Sequence, residues 1–139
     1  MAKGASISGF PEWLPSERVV EQRVIDTLRK VFELNGFIGI ETRAVETGAS
    51  LLKKGETSKE IYLLSRLQEV GHESDTPIEE RLGLHFDLTV PLSRYVVEHS
   101  GALAFPFKRW QIQKVWRGER PQEGRFREFV QADIDVIGA

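Results

Sequence analysis

Residues 107–137 read FKRWQIQKVWRGERPQEGRFREFVQADIDVI, and their pattern is the most informative about the fold. Two runs within it, Phe107–Arg117 and Phe126–Ile137, alternate polar and apolar residues as strands do. The residues between the two runs combine glycine, proline and charge, which favours a loop. The stretch therefore predicts two antiparallel strands joined by a polar connection.

The two faces of each predicted strand differ in chemistry, because successive side chains point to opposite sides. In the second strand, one face is apolar apart from one glutamate: Phe126, Glu128, Val130, Ala132, Ile134 and Val136. Its other face holds Arg127, Phe129, Gln131, Asp133 and Asp135. In the first strand, Arg109, Gln111, Gln113 and Arg117 lie opposite Trp110, Ile112 and Trp116. We expect the apolar faces to form the core, and Arg117, Phe129, Gln131 and Asp135 to open onto one cleft.

An aromatic residue within a polar face is typical of a ligand site, because a nucleobase can stack on Phe129 while amides and carboxylates bind polar groups. Charge is consistent with this interpretation. Residues 105–131 have a net charge of +4, whereas the rest of the chain has −6. A basic hairpin in an acidic chain predicts a specific anionic ligand. On charge alone, a solvated hairpin with mixed salt bridges remains an equal alternative.

Outside the hairpin, periodicity predicts two helices and three short strands. The helices are Pro15–Gly36, with Ser16 as its N-cap, and Val90–Glu98; the strands are 37–42, 61–64 and 84–88. Residues 68–81 are acidic and nearly free of apolar side chains, which predicts an exposed and mobile insertion. We also expect mobility in the loop 118–124. The fold class is therefore α+β, an antiparallel sheet flanked by helices.

Composition excludes several classes of protein. The 139 residues, 40% of them apolar, suit one globular domain. The absence of cysteine excludes disulfide scaffolds, thiolate zinc sites and cysteine catalysis. No apolar run approaches the roughly 18 residues of a membrane span, so we expect a cytoplasmic protein that does not bind membranes.

The hairpin resembles motif 2 of the class II aminoacyl-tRNA synthetases. The class-wide pattern is Arg117-x-Glu119 followed by Arg125-x-x-x-Phe129-x-x-x-Asp133. The loop ERPQEGR at 119–125 and QADID at 131–135 are similar to the histidyl-tRNA synthetases in particular. Residues 84–91, LHFDLTVP, resemble the histidine-binding segment of the same family. The first helix and the strand after it resemble motif 1, which forms dimers.

The resemblance implies a domain organisation. Residues 1–15 would be an N-terminal extension, and residues 16–139 the N-terminal portion of a class II catalytic domain that is incomplete here. Motif 1 would span about 16–46, the mobile insertion about 68–81 and motif 2 about 105–137. Arg43 stands where motif 1 commonly has a proline. Motif 3 and the anticodon-binding domain are not found, so we expect this chain to be part of a longer protein.

The resemblance also implies roles for individual residues. It implies ATP binding by Arg117, Glu119, Arg125 and Phe129, with Arg117 as the catalytic residue. It implies histidine binding by Asp87, Thr89, Arg117, Gln131 and Asp135, of which Asp135 would contact the imidazole. No residue is assigned as a metal ligand, and Mg²⁺ would accompany ATP. The implied partners are L-histidine, ATP, tRNA(His) and a second copy in a homodimer.

Structural alternatives exist for several of these residues. Thr89 could cap the helix that follows it, Asp135 could be a charge at the sheet edge, and Asp133 could pair with Arg127 or Arg109. Two alternative functions also remain. One is the synthetase-like regulatory subunit of ATP phosphoribosyltransferase, and the other is an RNA-binding module that uses the basic hairpin.

Overall fold

The structure is a computed structural model that describes residues 4–53, 55, 59–72 and 74–138. Its helices are α1 (Pro15–Leu34), α2 (Gly48–Leu52) and α3 (Thr89–His99). Its strands are β1 (Ile38–Gly39), β2 (Val45–Thr47), β3 (Leu82–Leu84), β4 (Phe107–Trp116) and β5 (Glu128–Ile137). Single turns of 3-10 helix lie at Leu67–Glu69, Ile78–Glu80 and Ser100–Ala102. The predicted α+β class is confirmed.

The predicted hairpin is confirmed as the antiparallel pair β4 and β5, in which Phe107 lies opposite Ile137 and Trp116 opposite Glu128. Strand β1 runs parallel to β4 on its other edge, and β2 and β3 form a separate antiparallel pair. The predicted strand at 37–42 is reduced to β1, followed by a hydrogen bond from the Ile40 amide to the Trp110 carbonyl (3.1 Å).

Two other predicted strands differ from the structure. Residues 61–64 are extended beside β3, where the Leu64 amide donates to the Leu82 carbonyl (2.9 Å), but only Leu63 forms a bridge. The predicted strand at 84–88 is wrong: β3 ends at Leu84, and the next four residues form a buried bend into α3. This bend buries an apolar and an acidic side chain next to each other, Phe86 and Asp87.

The core lies on the opposite face of the hairpin from the one we predicted. The side chains of β4 that are buried are Phe107, Arg109, Gln111 and Val115. Helix α3 packs on this face, with the rings of Tyr95 and Phe107 6.5 Å apart. On the apolar face, Ile134 and Val136 of β5 remain 45% and 56% exposed. The chain after β1 therefore covers the polar face, whereas the expected core face is half-buried at Trp110, Ile112 and Trp116 of β4 and exposed at the end of β5.

Helix α1 confirms the predicted helix but not its cap. Pro15 occupies the first helical position, and the N-cap residue is Leu14, whose amide donates to the Glu17 carboxylate (3.1 Å). Ser16 is thus inside the helix. None of the side chains of α1, all of which the structure describes, is buried. Val20, Val24 and Val31 are 58%, 54% and 49% exposed, so the apolar stripe of this helix has little to pack against.

The segment before α1 packs on the base of the hairpin. The Gly9 carbonyl accepts hydrogen bonds from the amides of Arg127 (2.7 Å) and Glu128 (3.0 Å). Gly9 has φ +83°, and a Cβ there would lie 2.8 Å from the Arg127 side chain. Trp13 meets Phe126 edge to face, with 6.2 Å between ring centres. Part of the predicted N-terminal extension therefore supports the start of β5.

The insertion at 68–81 is exposed along its described residues, apart from the half-buried Arg81. Its mobility remains a prediction, and Glu73 lies outside the described residues. Within residues 4–53, 55, 59–72 and 74–138, no helix has the length and apolar character needed to cross a membrane.

Candidate active site

The four residues that we predicted to bind ATP line one cavity. Arg117, Glu119, Arg125 and Phe129 surround a space of about 430 Å³ where β4 leads into the loop and β5 begins. Glu60, Gly124 and Phe126 complete its lining. The pairing of β4 with β5 explains this arrangement, because it brings Arg117 and Phe129 together from the two strands. Sequence reasoning missed Glu60, since nothing in the pattern of its segment linked it to the hairpin.

Arg117 is held in a defined position at this cavity. Its amide donates to the Arg127 carbonyl (2.9 Å), which extends the ladder past the end of β4. Its Nε donates to the Phe86 carbonyl (2.9 Å), and its guanidinium carbon lies 5.1 Å from the centre of the Phe129 ring. These contacts restrain a permanent positive charge beside an aromatic ring, which suits the binding of a nucleotide.

The loop between the strands is anchored at its base and turns tightly at its tip. The Gly118 amide donates to the Glu60 carbonyl (2.7 Å), and Arg127 Nε donates to the Glu119 carbonyl (3.0 Å). At the tip, Gln122 and Arg125 exchange two backbone hydrogen bonds of 3.2 and 2.9 Å. Gly124 has φ +73° there, a conformation that favours glycine. Whether the loop moves before ATP binds remains a prediction.

The residues that we predicted to bind histidine are more dispersed. Gln131 and Asp135 lie on the same face of β5 as Phe129. Asp87 is buried below the start of α3, where Oδ1 accepts from the Val90 amide (3.2 Å). Thr89 is exposed and lines a different cavity, between α2 and α3, with Ser50 and Lys53 among its neighbours. The structure therefore does not place Thr89 at the cavity of Arg117.

The alternative role of Thr89 as a helix cap is wrong. Thr89 is the first residue within α3, and Leu88 is the N-cap residue. The side chain that binds a free amide of the first turn belongs to Asp87. The same carboxylate that we predicted to bind histidine therefore also stabilises the helix.

Two glutamines of the expected cleft bind the backbone and side chain of Thr42 instead of facing open space. Gln113 accepts from the Thr42 amide (3.0 Å) and donates to the Thr42 carbonyl (2.8 Å). Gln111 donates to Thr42 Oγ1 (2.9 Å) and also hydrogen-bonds to Gln113. These bonds fasten the segment after β1 to β4. The polar character of this face is thus partly structural.

Asp135 pairs with a buried base. It lies directly opposite Arg109 in the ladder, and Arg109 Nη2 is 2.9 Å from Asp135 Oδ2. Arg109 is fully buried, whereas the Asp135 side chain is 46% exposed. Burial lowers the pKa of Arg109, while the carboxylates of Asp135 and Asp133 raise it, and the guanidinium stays charged. Asp133 instead accepts from Gln131 Nε2 (2.8 Å).

A buried histidine stabilises the other edge of β4. His85 Nε2 is 2.6 Å from the Lys114 carbonyl, so this nitrogen must carry a proton. The ring stacks on Trp116 with 5.6 Å between centres, and Nδ1 has no hydrogen-bond partner among the described residues. Burial lowers the pKa of His85, although the Lys114 carbonyl, Glu46 and Asp87 oppose the shift. His85 is therefore neutral in the folded protein near pH 7.

We expect His85 to make the protein less stable in mild acid. Its folded pKa is lowered, so the unfolded chain binds the proton first as the pH falls through the ordinary value of about 6.5. Stability is then fully present above that value and declines below it, by up to about 1.4 kcal/mol per pH unit. Urea unfolding at pH 7.5 and pH 5.5 measures this loss. His85→Gln should reduce the loss, whereas His99→Gln, at an exposed position, should not; equal losses in all three proteins would contradict the expectation.

Comparison with known proteins agrees with the resemblance. No protein-family model matches the chain. Over 138 residues it is 94% identical to a histidine–tRNA ligase of Bifidobacterium animalis subsp. lactis (strain AD011), a match that covers 99% of this chain and 30% of that protein. The crystal structure of histidyl-tRNA synthetase from Nostoc sp. PCC 7120 matches with a TM-score of 0.81 and 43% identity, over 99% of this chain and 29% of that one.

A further structure, described as an ATP phosphoribosyltransferase regulatory subunit/histidyl-tRNA synthetase from Bacillus halodurans C, matches with a TM-score of 0.78. This match covers 98% of this chain and 33% of the chain in that structure. Its sequence identity is 21%, so it supports the fold alone. The fold is that of the class II aminoacyl-tRNA synthetases. Within that class, the chain is similar over 99% of its length to histidine–tRNA ligases and spans about 30% of theirs. The predicted resemblance is confirmed, and the alternative regulatory subunit is not better supported.

Proposed function

We propose that this chain is part of a histidine–tRNA ligase, which activates L-histidine with ATP and transfers it to tRNA(His). The observation that carries the proposal is the convergence of Arg117, Glu119, Arg125 and Phe129 on one cavity. These are the positions that the motif resemblance assigns to ATP. The 94% identity to a histidine–tRNA ligase supports the choice of amino acid.

In the proposed reaction, a carboxylate oxygen of histidine attacks the α-phosphorus of ATP. The bond from that phosphorus to the bridging oxygen breaks, and pyrophosphate leaves with the electron pair, which gives histidyl-adenylate. Arg117 neutralises the charge on the α-phosphate, Arg125 holds the terminal phosphate, Phe129 stacks on adenine and Glu119 contacts its edge. Such a reaction depends on position and charge, not on a protein nucleophile.

Magnesium enters this proposal as part of the MgATP substrate. Among the residues that the structure describes, no group of three or more acidic or histidine side chains is suited to hold a metal ion. The phosphates of ATP are themselves good ligands for Mg²⁺, which prefers oxygen and keeps several waters. The proposal assigns no residue of this chain to the metal.

On the histidine side, Asp87, Thr89 and Gln131 bind the amino and carboxylate groups, and Asp135 accepts a hydrogen bond from the imidazole. Thr89 has the weakest structural support, because it lies at a separate cavity. In the second step, a ribose hydroxyl at the 3′ end of tRNA(His) attacks the activated carbonyl and AMP leaves. The exposed valines of α1 support a homodimer through this helix, and a cytoplasmic location follows from a role in translation.

The test is histidine-dependent exchange of pyrophosphate into ATP, measured with the complete protein. We expect exchange with histidine and none with glutamine or phenylalanine. A protein that catalyses no exchange but stimulates an ATP phosphoribosyltransferase would be the regulatory subunit instead. RNA binding with a steep salt dependence and no effect of ATP would favour the RNA-binding module.

A further inference from the structure

Arg109 is a charged side chain that none of the proposed steps uses. We infer that Arg109 is a positioning residue for the recognition of histidine: it binds one oxygen of Asp135 and leaves the other to accept the imidazole N–H. This role rests on the proposed function, because it assumes that Asp135 contacts the histidine side chain.

The ladder of β4 and β5 sets the geometry of the pair. Arg109 and Asp135 lie directly opposite each other, so their side chains project from the same face of the sheet. Arg109 Nη2 lies 2.9 Å from Asp135 Oδ2, which is the distance of a close ion pair, although the two groups are not aligned as a hydrogen bond. The contact described for the pair is to one carboxylate oxygen, Oδ2. The other oxygen belongs to the same Asp135 side chain, which is partly exposed.

Burial makes the pair asymmetric. Arg109 is fully buried, whereas the Asp135 side chain is 46% exposed. None of the three guanidinium nitrogens, Nε, Nη1 and Nη2, has a hydrogen-bond partner among the described residues. A buried charge needs compensation, and Asp135 is the carboxylate in contact with it. The base is thus fixed inside the protein, and the acid extends from it to the surface that a ligand can reach.

The neighbouring carboxylate is already engaged. Asp133 lies opposite Gln111 and accepts a hydrogen bond from Gln131 Nε2 (2.8 Å). It therefore contributes negative charge near Arg109 without replacing Asp135 in the contact. Asp133 and Asp135 are neighbours on one face of β5 and have different roles. Asp133 orients an amide, and Asp135 is oriented by a base.

The chemical consequence is a carboxylate with a defined direction. The Asp135 carboxylate accepts hydrogen bonds. Its rotation is restricted, because one oxygen is held at the guanidinium. Such a carboxylate accepts a hydrogen bond from a donor at one defined position. The imidazole N–H of histidine is a donor of this kind. An apolar side chain of similar size would leave the exposed oxygen without a partner and would be rejected.

The experiment compares Arg109→Met, Arg109→Lys, Asp135→Asn and the double variant Arg109→Met/Asp135→Asn in the complete protein. Pyrophosphate exchange is measured with histidine and ATP varied separately. We expect Arg109→Met to raise the KM for histidine about tenfold or more, with kcat and the KM for ATP nearly unchanged. Arg109→Lys, which keeps the charge, should recover part of the loss.

The double variant separates positioning from a general structural effect. If Arg109 acts through Asp135, Arg109→Met should add little to the KM of Asp135→Asn. Lys114→Met is the matched control: it removes an ion pair with Glu128 (3.0 Å) between the same two strands on the other face, and should leave the KM for histidine unchanged. Thermal unfolding of every variant confirms that it is folded. If Arg109→Met does not fold, Arg109→Lys takes its place in the cycle with the same expectation.

Two results would overturn the role of Arg109 while leaving the proposed function intact. In the first, the wild-type protein is active with histidine, and the Arg109 variants have the same KM for histidine as the wild type. The other is an equal loss from the Arg109 substitution with and without Asp135. A wild-type protein with no histidine-dependent exchange would overturn the proposed function itself, and the role of Arg109 with it.

Discussion

We expect Arg117→Ala to slow the formation of histidyl-adenylate by a factor of about 100 or more, with a smaller effect on the KM values. In the proposed reaction, Arg117 faces charge that grows on the α-phosphate during attack, and loss of one such donor typically costs on the order of 3 kcal/mol in the transition state. The contacts of Arg117 with Phe86 and Phe129 hold the guanidinium in place before the substrates arrive. Single-turnover adenylate formation in the complete protein measures the effect.

The controls for this prediction are Arg117→Lys and an exposed arginine of the same loop. Arg117→Lys keeps the charge but loses the planar fork, so it should recover only part of the rate. Arg120→Ala removes an exposed arginine that does not line the cavity and should have little effect. Unchanged turnover in Arg117→Ala would remove this residue from the catalytic machinery.

We expect Asp135→Ala to weaken histidine binding and to reduce discrimination against other amino acids. A buried polar group left without its partner costs roughly 1–3 kcal/mol, which corresponds to a rise in the KM for histidine of about 5- to 150-fold. The KM for ATP should change little, because Asp135 does not line the cavity of Arg117. Pyrophosphate exchange with each substrate varied in turn separates the two effects.

This substitution also has a structural effect that must be distinguished from recognition. Removing Asp135 leaves Arg109 buried without its ion-pair partner, so Asp135→Ala should lower the melting temperature as well. Asp135→Asn keeps the shape of the side chain and one acceptor oxygen. We expect a smaller rise in KM for Asp135→Asn than for Asp135→Ala. An unchanged KM for histidine in both variants would contradict the assignment of Asp135 to the imidazole.

Local patterns predicted the elements whose signal is long and periodic. The alternation in 107–137 predicted β4 and β5 and their pairing, and the apolar spacing after Pro15 predicted α1. Short segments were less predictable, because a few alternating residues are compatible with several backbones. The run at 84–88 is such a case: it alternates, yet it forms a buried bend that leads into α3.

The part of the candidate site that lies within one local motif was predicted from the sequence. Arg117, Glu119, Arg125 and Phe129 lie on or beside one hairpin, so a local motif was enough to bring them together. Glu60 reaches the same cavity from a distant segment through a backbone hydrogen bond to Gly118. The sequence also did not predict the partner of Asp135. Alternation placed Arg109 on the polar face of β4, but it did not determine the register of the two strands.

Local periodicity and chain geometry were sufficient to predict the strands of the hairpin, the long first helix, and which side chains share a face. Which face is covered depends on tertiary packing. The chain after β1 packs on the polar face, where Arg109 and Gln111 are buried, while Ile134 and Val136 on the apolar face of β5 stay exposed. Alternation marks two faces but cannot say which one a distant segment will cover. Burial of a charged face is possible here because Arg109 pairs with the Asp135 carboxylate on the neighbouring strand and the Gln111 amide hydrogen-bonds to Thr42.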